Sequence, residues 1–416
     1  MTRFLFSLLL PVALTAPLGA QTRPFPAHAR YPGAVIRPSA FTQEQQDTDV
    51  RAAYDAWKKD YVKEAGKDAA TGKTLYRIAM GKTAPKVEVT VSEGQGYGMV
   101  IAALMAGHDP EARGLFDGLF LFAKGHPDKR TPGLMQWRVP LESPDGGGGT
   151  SAFDGDADIA QGLILAHAQW GKGGAIAYLE EAKRVIAAQL KGCIGPQSRL
   201  PLLGNWVASD GKKSNQSTPR SSDFLPSHFR VWAKVSGDPV WNTVAENCSA
   251  VVDALQKNHS PDTGLLPDFI INADPPSAAK PAGPKFLEGE HDGAYFYNAG
   301  RDPWRLALDG LLNGNARSTA QARKMAVWLR RSTGGDSGKI KAGYKLDGTP
   351  LPGSDYFSSF FSSPFGVAAM LDPEGQAMLD SIYGKARSTR QSYYEDTVNL
   401  LCLLAMSGNY WDSPAE

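Results

Sequence analysis

Cysteine is scarce in this chain, which has only Cys193, Cys248 and Cys402 among its 416 residues. Three cysteines can form at most one disulfide, and their wide separation matches no zinc or redox motif. Cys402 lies inside the apolar run at 400–404, which is typical of a core residue. We therefore interpret all three as structural residues and expect no metal site.

A surplus of charge of either sign is also missing, because 44 basic residues stand against 43 acidic ones. The chain has no block of lysine or arginine and no low-complexity tract. This balance argues against nucleic acid or an anionic membrane as a partner. The hydrophobic share of 42% is an ordinary globular composition with material for a large core.

Long apolar runs are missing after the N-terminus. At the N-terminus, Arg3 precedes the mostly apolar residues 4–14 and then the small residues Gly19 and Ala20. This order predicts a secretory signal peptide over residues 1–20. Its apolar part is too short to span a bilayer comfortably, and the alternatives are a buried N-terminal helix or a retained anchor. We expect a mature domain at 21–416 that is secreted, extracellular or periplasmic, and free of the membrane.

Helical periodicity runs from the start of the mature chain to its end. The spacing predicts about twelve helices, at residues 47–64, 94–107, 110–125, 156–171, 175–191, 222–236, 239–257, 301–314, 319–333, 357–371, 373–385 and 391–407. Start signals are expected at Ser222-Asp223, Ser318-Thr319 and Asp372-Pro373-Glu374. The alternating run at 87–91 predicts a short strand or an extended approach to Ser92.

A dozen helices without a sharp linker predict one all-α domain. Alternating helices of similar length suit a closed double ring, with a site built by loops at one end. The long loops are expected at 72–92, 126–155, 192–221, 258–298 and 334–356, and loops of this length usually carry function. The alternative is an open helical repeat, but no fixed period appears in the sequence.

The most informative motif is SEGQGYGM at residues 92–99. It places Glu93 among glycines directly before an apolar run, which predicts the first turn of a buried helix. A carboxylate at that place is commonly only a favourable partner for the helix dipole. Spacing alone leaves both interpretations of Glu93 open.

A second motif, SAFDGDADIA at residues 151–160, starts another helix with three alternating acids. The pattern also opens calcium-binding loops, but the required glycine and distal glutamate are absent. Asp154 could also be a helix cap.

The third motif, at residues 286–305, gathers acids, aromatics and an arginine at the end of the longest loop. Aromatic rings beside carboxylates suit carbohydrate, which offers an apolar face for stacking and hydroxyls for hydrogen bonds. Trp137, Trp206, Tyr297 and Tyr356 lie in or beside the long loops. We predict that they line a sugar-binding cleft, although core packing is the alternative for any one of them.

Together with YYEDTVNLL at 393–401, these motifs resemble glycoside hydrolase family 8, in the family's order and over essentially the whole mature chain. The resemblance implies an (α/α)6 barrel, in agreement with the helix count. It also implies inverting hydrolysis of β-1,4-linked polysaccharides. We expect a monomer that needs no metal or organic cofactor.

The resemblance assigns roles to three matched residues. Glu93 corresponds to the general acid, Asp154 to the residue that holds and distorts the sugar at the cleavage point, and Arg301 to the arginine that lines the site. Phe153 departs from the usual Ser or Thr, which could alter packing beside Asp154.

Asn298 is the departure with the largest consequence. In one branch of the family this position is an aspartate that acts as the general base, whereas an asparagine cannot take a proton from water. The segment 286–289 resembles the branch in which a loop glutamate does so, a branch of chitosanases, lichenases and endoglucanases. Glu288 is therefore the expected base, with Glu290 and Asp223 as alternatives. Asp223 is equally open to interpretation as a substrate contact or a helix cap.

We therefore expect a secreted endo-acting hydrolase of cellulose or mixed-linkage β-glucan. Chitosan is the rival substrate, because Glu290 and Asp292 could attract a cationic polymer. The nearby Lys285, Lys212 and Lys213 weaken that case. A non-catalytic carbohydrate-binding protein and a polysaccharide lyase with a tyrosine or histidine/arginine base are two further possibilities.

Overall fold

The computed structural model describes residues 22–81, 89–140, 149–172 and 174–412. The predicted signal peptide and the first two residues of the predicted strand at 87–91 lie outside these ranges. Within them the chain forms twelve α-helices: α1 (Gln43–Tyr61), α2 (Ser92–Leu104), α3 (Ala112–Gly125), α4 (Phe153–Trp170), α5 (Tyr178–Gly192), α6 (Pro226–Ser236), α7 (Val240–Asn258), α8 (Asp302–Asn313), α9 (Ala316–Thr333), α10 (Ser359–Ala369), α11 (Gln376–Ala386) and α12 (Tyr393–Met406).

Helices α2, α4, α8, α10 and α12 are buried on nearly every side, and α6 is buried mainly over residues 226–232. The odd-numbered helices bury one face. All eleven residues of α10 are buried. In α9 the buried apolar residues are Ala322, Met325, Ala326 and Leu329, which follow the i, i+3, i+4, i+7 spacing of an amphipathic helix. The even-numbered helices therefore form an inner ring and the odd-numbered helices an outer ring.

The rings are closed. Along the inner ring α2 packs against α4, α6 against α8, α8 against α10, α10 against α12, and α12 against α2. The step from α4 to α6 is made by Asp158 and His228, whose side chains lie 3.0 Å apart. Each inner helix also packs on an outer neighbour, and α12 on α1. The fold is the (α/α)6 barrel that the sequence predicted, and the open repeat is wrong because the last helices contact the first.

In the described part of the chain six short strands form three two-stranded antiparallel sheets: β1 (Val62–Lys67) with β2 (Thr74–Ile78), β3 (Val89–Val91) with β4 (Arg138–Pro140), and β5 (Ile270–Ile271) with β6 (Lys280–Pro281). The β3–β4 pair confirms a strand at the end of the segment 87–91. It also holds Trp137 beside the start of α2, because the Trp137 carbonyl accepts the Ser92 N–H at 3.0 Å.

The inner helices point their N-termini toward one end of the barrel, and an N-terminal strap (residues 22–41) closes the other end. Its backbone N–H groups donate to carbonyls just past or within the C-terminal ends of four inner helices: Thr22 to Gln169, Phe25 to Ala106, Ala29 to Gly408, and Ile36 to Met370, at 2.5–3.1 Å. The strap leaves the N-terminal end of the ring as the open end.

All twelve predicted helices are present, but the three predicted start signals are wrong. Helix α9 begins earlier, because the Asn315 side chain caps it by accepting the Ser318 N–H at 2.9 Å. Helix α11 begins after Gly375, and α6 begins at Pro226, after a 3₁₀ turn at Ser221–Asp223.

The three cysteines are buried free thiols, in agreement with the structural role that the sequence predicted for them. Among the residues described, no helix combines the length and apolar character needed to cross a bilayer.

Candidate active site

Four polar side chains meet at the open end of the barrel. Glu93 and Asp154 stand in the first turns of α2 and α4. Arg301 ends the 3₁₀ turn before α8, and Arg220 directly precedes the turn before α6. Because each precedes or starts an inner helix, the ring brings together residues that are far apart in sequence.

Arg301 is the centre of this cluster, and its side chain is only 2% exposed. Its Nη1 donates to Glu93 Oε1 and, at 3.0 Å, to Asp154 Oδ2. Its Nη2 donates to Ser222 Oγ at 2.8 Å and to Asn298 Oδ1 at 3.1 Å. The arginine predicted to line the site therefore joins the two carboxyl groups singled out in the first and second motifs.

Arg220 was not identified from the sequence. Its Nη2 lies 3.2 Å from Asp154 Oδ2, and its Nε donates to both carboxylate oxygens of Asp223 at 3.2–3.3 Å. Asp223 has no exposed surface and precedes α6 by three residues without capping it. The helix-cap interpretation of Asp223 is wrong, while its roles as a substrate contact or alternative base stay predictions. In the structure the Asp223 carboxylate holds the side chain of Arg220.

Glu93 and Asp154 are pushed toward opposite protonation states. Burial raises the pKa of Glu93, and the charge of Asp154 adds to this, although Arg301 opposes both. Burial would also raise the pKa of Asp154, but Arg220 and Arg301 together hold it below its usual range. One site thus holds a carboxyl group that tends to keep its proton and one that tends to lose it.

Asp154 is not a helix cap, since the N-cap of α4 is Ala152 and no side chain caps that helix. The three aspartates of the second motif also have separate partners. Asp156 accepts the Met135 N–H at 2.8 Å, and Asp158 pairs with Arg305 at 2.5 Å. A calcium loop would turn these carboxylates toward one ion, so the calcium alternative is wrong.

Glu288 stands exposed on the loop that precedes the third motif's aromatic run. The buried Asp292 fixes this loop, because its carboxylate accepts the backbone N–H groups of Leu287, Glu288 and Gly289 at 2.6–3.0 Å. Asp292 is therefore not a carboxylate of the cleft surface. The neighbouring Glu290 pairs with Lys285 at 2.5 Å.

Asn298 connects Glu288 to the arginines. Its Nδ2 donates to Glu288 Oε2 at 2.9 Å, while its Oδ1 accepts from Arg301 and, at 3.4 Å, from Arg220. An aspartate here would place a carboxylate against Glu288, whereas the amide offers a donor on that side. The departure at position 298 is thus matched by the glutamate beside it.

Asp268, also not identified from the sequence, orders the backbone around Asn298. It accepts the N–H groups of Phe296 and Ala299 at 3.0 and 2.7 Å. Burial raises its pKa to about 7 despite these bonds. An acid in the longest loop directly after an apolar run, as in LLPD at 265–268, was the available signal.

The four aromatic residues predicted for the cleft fall into two groups. Trp137 and Trp206 are 41% and 37% exposed, and lie next to the starts of α2 and α4. Tyr356 is 46% exposed, and its hydroxyl lies 3.0 Å from that of Tyr297, whose ring stacks on Phe360 of α10. Exposed rings are therefore present over two sectors of the ring.

Comparison with known proteins decides the family. Residues 24–408 match the family model described as glycosyl hydrolases family 8. The chain belongs to this family. It is thus a glycoside hydrolase, and its family-8 barrel is shared with enzymes from several bacteria.

Three relatives of this family-8 enzyme are similar over most of their length. A β-glucanase of Niallia circulans is 38% identical over 405 residues, which are 97% of this chain and 94% of the relative. An endoglucanase of Bacillus sp. strain KSM-330 is 36% identical over 392 residues, or 94% and 82% of the two chains. The apo structure of a β-1,3-1,4-glucanase from Paenibacillus sp. X4 superposes with a TM-score of 0.87 at 37% identity, covering 95% of this chain and 100% of that one.

Proposed function

We propose that this protein is a secreted, endo-acting, inverting hydrolase of β-1,4-linked glucan, either cellulose or mixed-linkage β-glucan. The observation that carries the proposal is the network centred on Arg301. It binds Glu93 directly and reaches Glu288 through Asn298, so that an acid and a base belong to one site. The names of the β-glucanase and endoglucanase relatives support the substrate class.

Glu93 is the proposed general acid. A glycosidic oxygen leaves as an alcohol only when it gains a proton, so the donor must arrive protonated. Burial and the charge of Asp154 raise the pKa of Glu93, which supports this role. Asp154 remains ionised between two guanidinium groups and is the proposed partner for the hydroxyls of the distorted sugar.

Glu288 is the proposed general base. Its exposed carboxylate would take a proton from a water that attacks the anomeric carbon on the face opposite Glu93. Inverting enzymes separate the two carboxyl groups by roughly 6.5–9.5 Å to leave room for that water. The amide of Asn298 and the turn held by Asp292 fix the position of Glu288.

The separate positions of the exposed aromatic rings support endo action. Trp137 and Trp206 lie over one sector of the ring, and Tyr297 and Tyr356 over another. Aromatic faces at separate places can bind several sugar units of one polymer, because each ring buries the apolar face of a sugar.

The competing functions lose support from the same geometry. Chitosan would need free carboxylates along the cleft, but Asp292 is buried in its loop and Glu290 pairs with Lys285. A lyase would need a readily ionised base, yet burial raises the pKa of the tyrosines nearest Glu93, Tyr97 and Tyr393. A non-catalytic role would not explain the two carboxyl groups held in opposite protonation states.

Hydrolysis of four polysaccharides tests the substrate assignment. We expect reducing ends to be released rapidly from barley β-glucan and carboxymethylcellulose, with a fall in viscosity, and at least about tenfold more slowly from chitosan and xylan. No absorbance of unsaturated products should appear in the ultraviolet. Faster hydrolysis of chitosan would favour a chitosanase, and unsaturated products would favour a lyase.

Asp154→Asn should reduce the rate much more than the stability. Both arginines keep other partners, Asp223 for Arg220 and Asn298 for Arg301, so we expect the melting temperature to fall by less than about 4 °C. The sugar loses an ionised partner, and we expect kcat to fall about a hundredfold. The charge of Asp154 raises the pKa of Glu93, so the pKa of Glu93 should fall in the variant. The alkaline limb of the pH–activity profile should therefore move to lower pH. A fall mainly in melting temperature would contradict this role.

We also propose that residues 1–20 are removed on export and that residues 21–416 form one catalytic domain that acts as a monomer. The signal-like N-terminus and the family match over residues 24–408 support this division. The mass of the denatured exported chain tests the removal of residues 1–20. The mass of the native protein in solution tests whether it is a monomer.

A further inference from the structure

Two hydrogen-bond donors converge on the same oxygen of Glu93. The Tyr97 hydroxyl donates to Glu93 Oε1 at 3.0 Å, and Arg301 Nη1 donates to that oxygen as well. Tyr97 stands four residues after Glu93 on α2, a spacing that places both side chains on one face of the helix.

This arrangement decides which oxygen can carry a proton. In a neutral carboxyl group one oxygen bears the hydrogen and donates, and the other is a carbonyl oxygen that accepts. Two donors directed at Oε1 make it the carbonyl oxygen, so the proton belongs on Oε2. We propose that Tyr97 is a positioning residue that keeps the proton of Glu93 on Oε2, the oxygen left for the glycosidic bond. This inference rests on the proposed role of Glu93 as general acid.

Arg301 alone does not perform this task. Its Nη1 is shared between Glu93 and Asp154, so a substrate that rearranges Asp154 would also change the bond to Glu93. The single hydrogen of the Tyr97 hydroxyl is committed to Glu93. Burial raises the pKa of Tyr97 far above its usual value, and its hydroxyl therefore stays a donor at every working pH.

A column of buried residues holds Tyr97 in place. The Arg305 guanidinium lies over the Tyr97 ring at 5.4 Å, and its Nη2 is 3.5 Å from the hydroxyl oxygen. Arg305 in turn is bound through both Nη atoms by Asp158, at 3.1 and 2.5 Å, and His228 contacts the same carboxylate. Helices α2, α8, α4 and α6 each contribute a residue, so the orientation of Tyr97 is set by the inner ring rather than by the cleft loops.

Leaving-group dependence tests the proposal. In Tyr97→Phe we expect kcat on barley β-glucan to fall about tenfold, with KM nearly unchanged. On 2,4-dinitrophenyl β-cellotrioside, whose leaving group needs no proton, we expect kcat to stay within about twofold of wild type. A purely structural defect would slow both substrates equally, and that result would overturn the proposal.

The pH profile gives an independent measurement. The charged and titratable groups that face Glu93 and Tyr97 are Asp154 and Asp158 from α4, Arg220 before α6, Arg301 and Arg305 before and in α8, and Tyr393 and Tyr394 from α12. None of these changes in Tyr97→Phe. The lost hydrogen bond favoured the ionised form of Glu93, so the pKa of Glu93 should rise. Because activity needs protonated Glu93, the alkaline limb of the pH–activity profile should move to higher pH in Tyr97→Phe. An alkaline limb at the wild-type position would count against the proposal.

Two further variants make the outcome unambiguous. Tyr383→Phe removes a buried hydroxyl that contacts Asp49 on the outer ring, and it should show neither the leaving-group effect nor the pH shift. Glu93→Gln should be strongly slowed on β-glucan and far less on the dinitrophenyl substrate. If Glu93→Gln lacks that contrast, the proposed function fails; if only Tyr97→Phe lacks it, the role of Tyr97 alone fails.

Discussion

Glu93→Gln is expected to lower kcat on barley β-glucan by about a hundred- to ten-thousand-fold, the usual contribution of general acid catalysis. The amide has nearly the shape of the carboxyl group, and its oxygen can still accept from Tyr97 and Arg301. The folded structure and the binding of polysaccharide should therefore persist. Initial rates, a thermal melt and affinity electrophoresis in β-glucan gels measure the three quantities.

The exposed Glu111, at the start of the outer helix α3, provides a matched control. Glu111→Gln should hydrolyse β-glucan at the wild-type rate, because it lies at the closed end of the barrel. A Glu93→Gln enzyme that retains more than about a tenth of the wild-type rate would remove Glu93 from the mechanism.

Glu288→Ala is expected to be nearly inactive on β-glucan and to recover part of its rate when azide is added. The small anion can enter the space of the missing side chain and attack in place of the activated water. Glu290→Ala is the matched control on the same loop, since Glu290 pairs with the exposed Lys285. It should keep most of its activity, in contrast to a loss of about a hundredfold or more for Glu288→Ala.

Product stereochemistry tests the inverting mechanism independently of which residue is the general base. NMR of the first products of a β-linked glucan should show the α-anomer, because an inverting enzyme attacks from the opposite face. If the Glu288 variant stays active while the Glu290 variant is inactive, the base is misassigned and the inverting mechanism stands. A β-anomer as first product would contradict the inverting mechanism itself.

The periodicity of the chain predicted the number and order of the helices because packing demands it. An inner helix such as α10 is buried on every side and consists mostly of apolar and small residues, whereas an outer helix such as α9 is apolar on one face. Helix starts depend instead on local competition between capping groups. At α9 the side chain of Asn315 forms the cap, three residues before the Ser318 that the sequence suggested.

The site could be predicted only where a motif carried it. Glu93, Asp154 and Arg301 stand in recognisable motifs, and the structure brings them together. Arg220 stands directly before the stretch Ser221-Ser222-Asp223, which we interpreted around its aspartate alone. Its contact with Asp154 joins the segment before α6 to the first turn of α4, and no pattern within either segment specifies such a long-range pair.

The role predicted for Asp292 was also wrong, because it depended on how a loop folds. Its proximity in sequence to Glu288 and Glu290 suggested a third carboxylate for a cationic substrate. Three backbone N–H groups of its own loop surround it instead. Whether an acid in a loop faces the cleft or the backbone depends on how that loop folds, which composition does not specify.

The N-terminal strap determines where the enzyme can be attached to something else. Residue 22 is bound to Gln169, at the C-terminal end of α4 and therefore at the opposite end of that helix from Asp154. A linker, a resin or a second domain joined upstream of residue 22 would leave the molecule at its closed base. The open end of the barrel, with Glu93 and Asp154, would then face outward from any support and stay accessible to a polymer much larger than the enzyme.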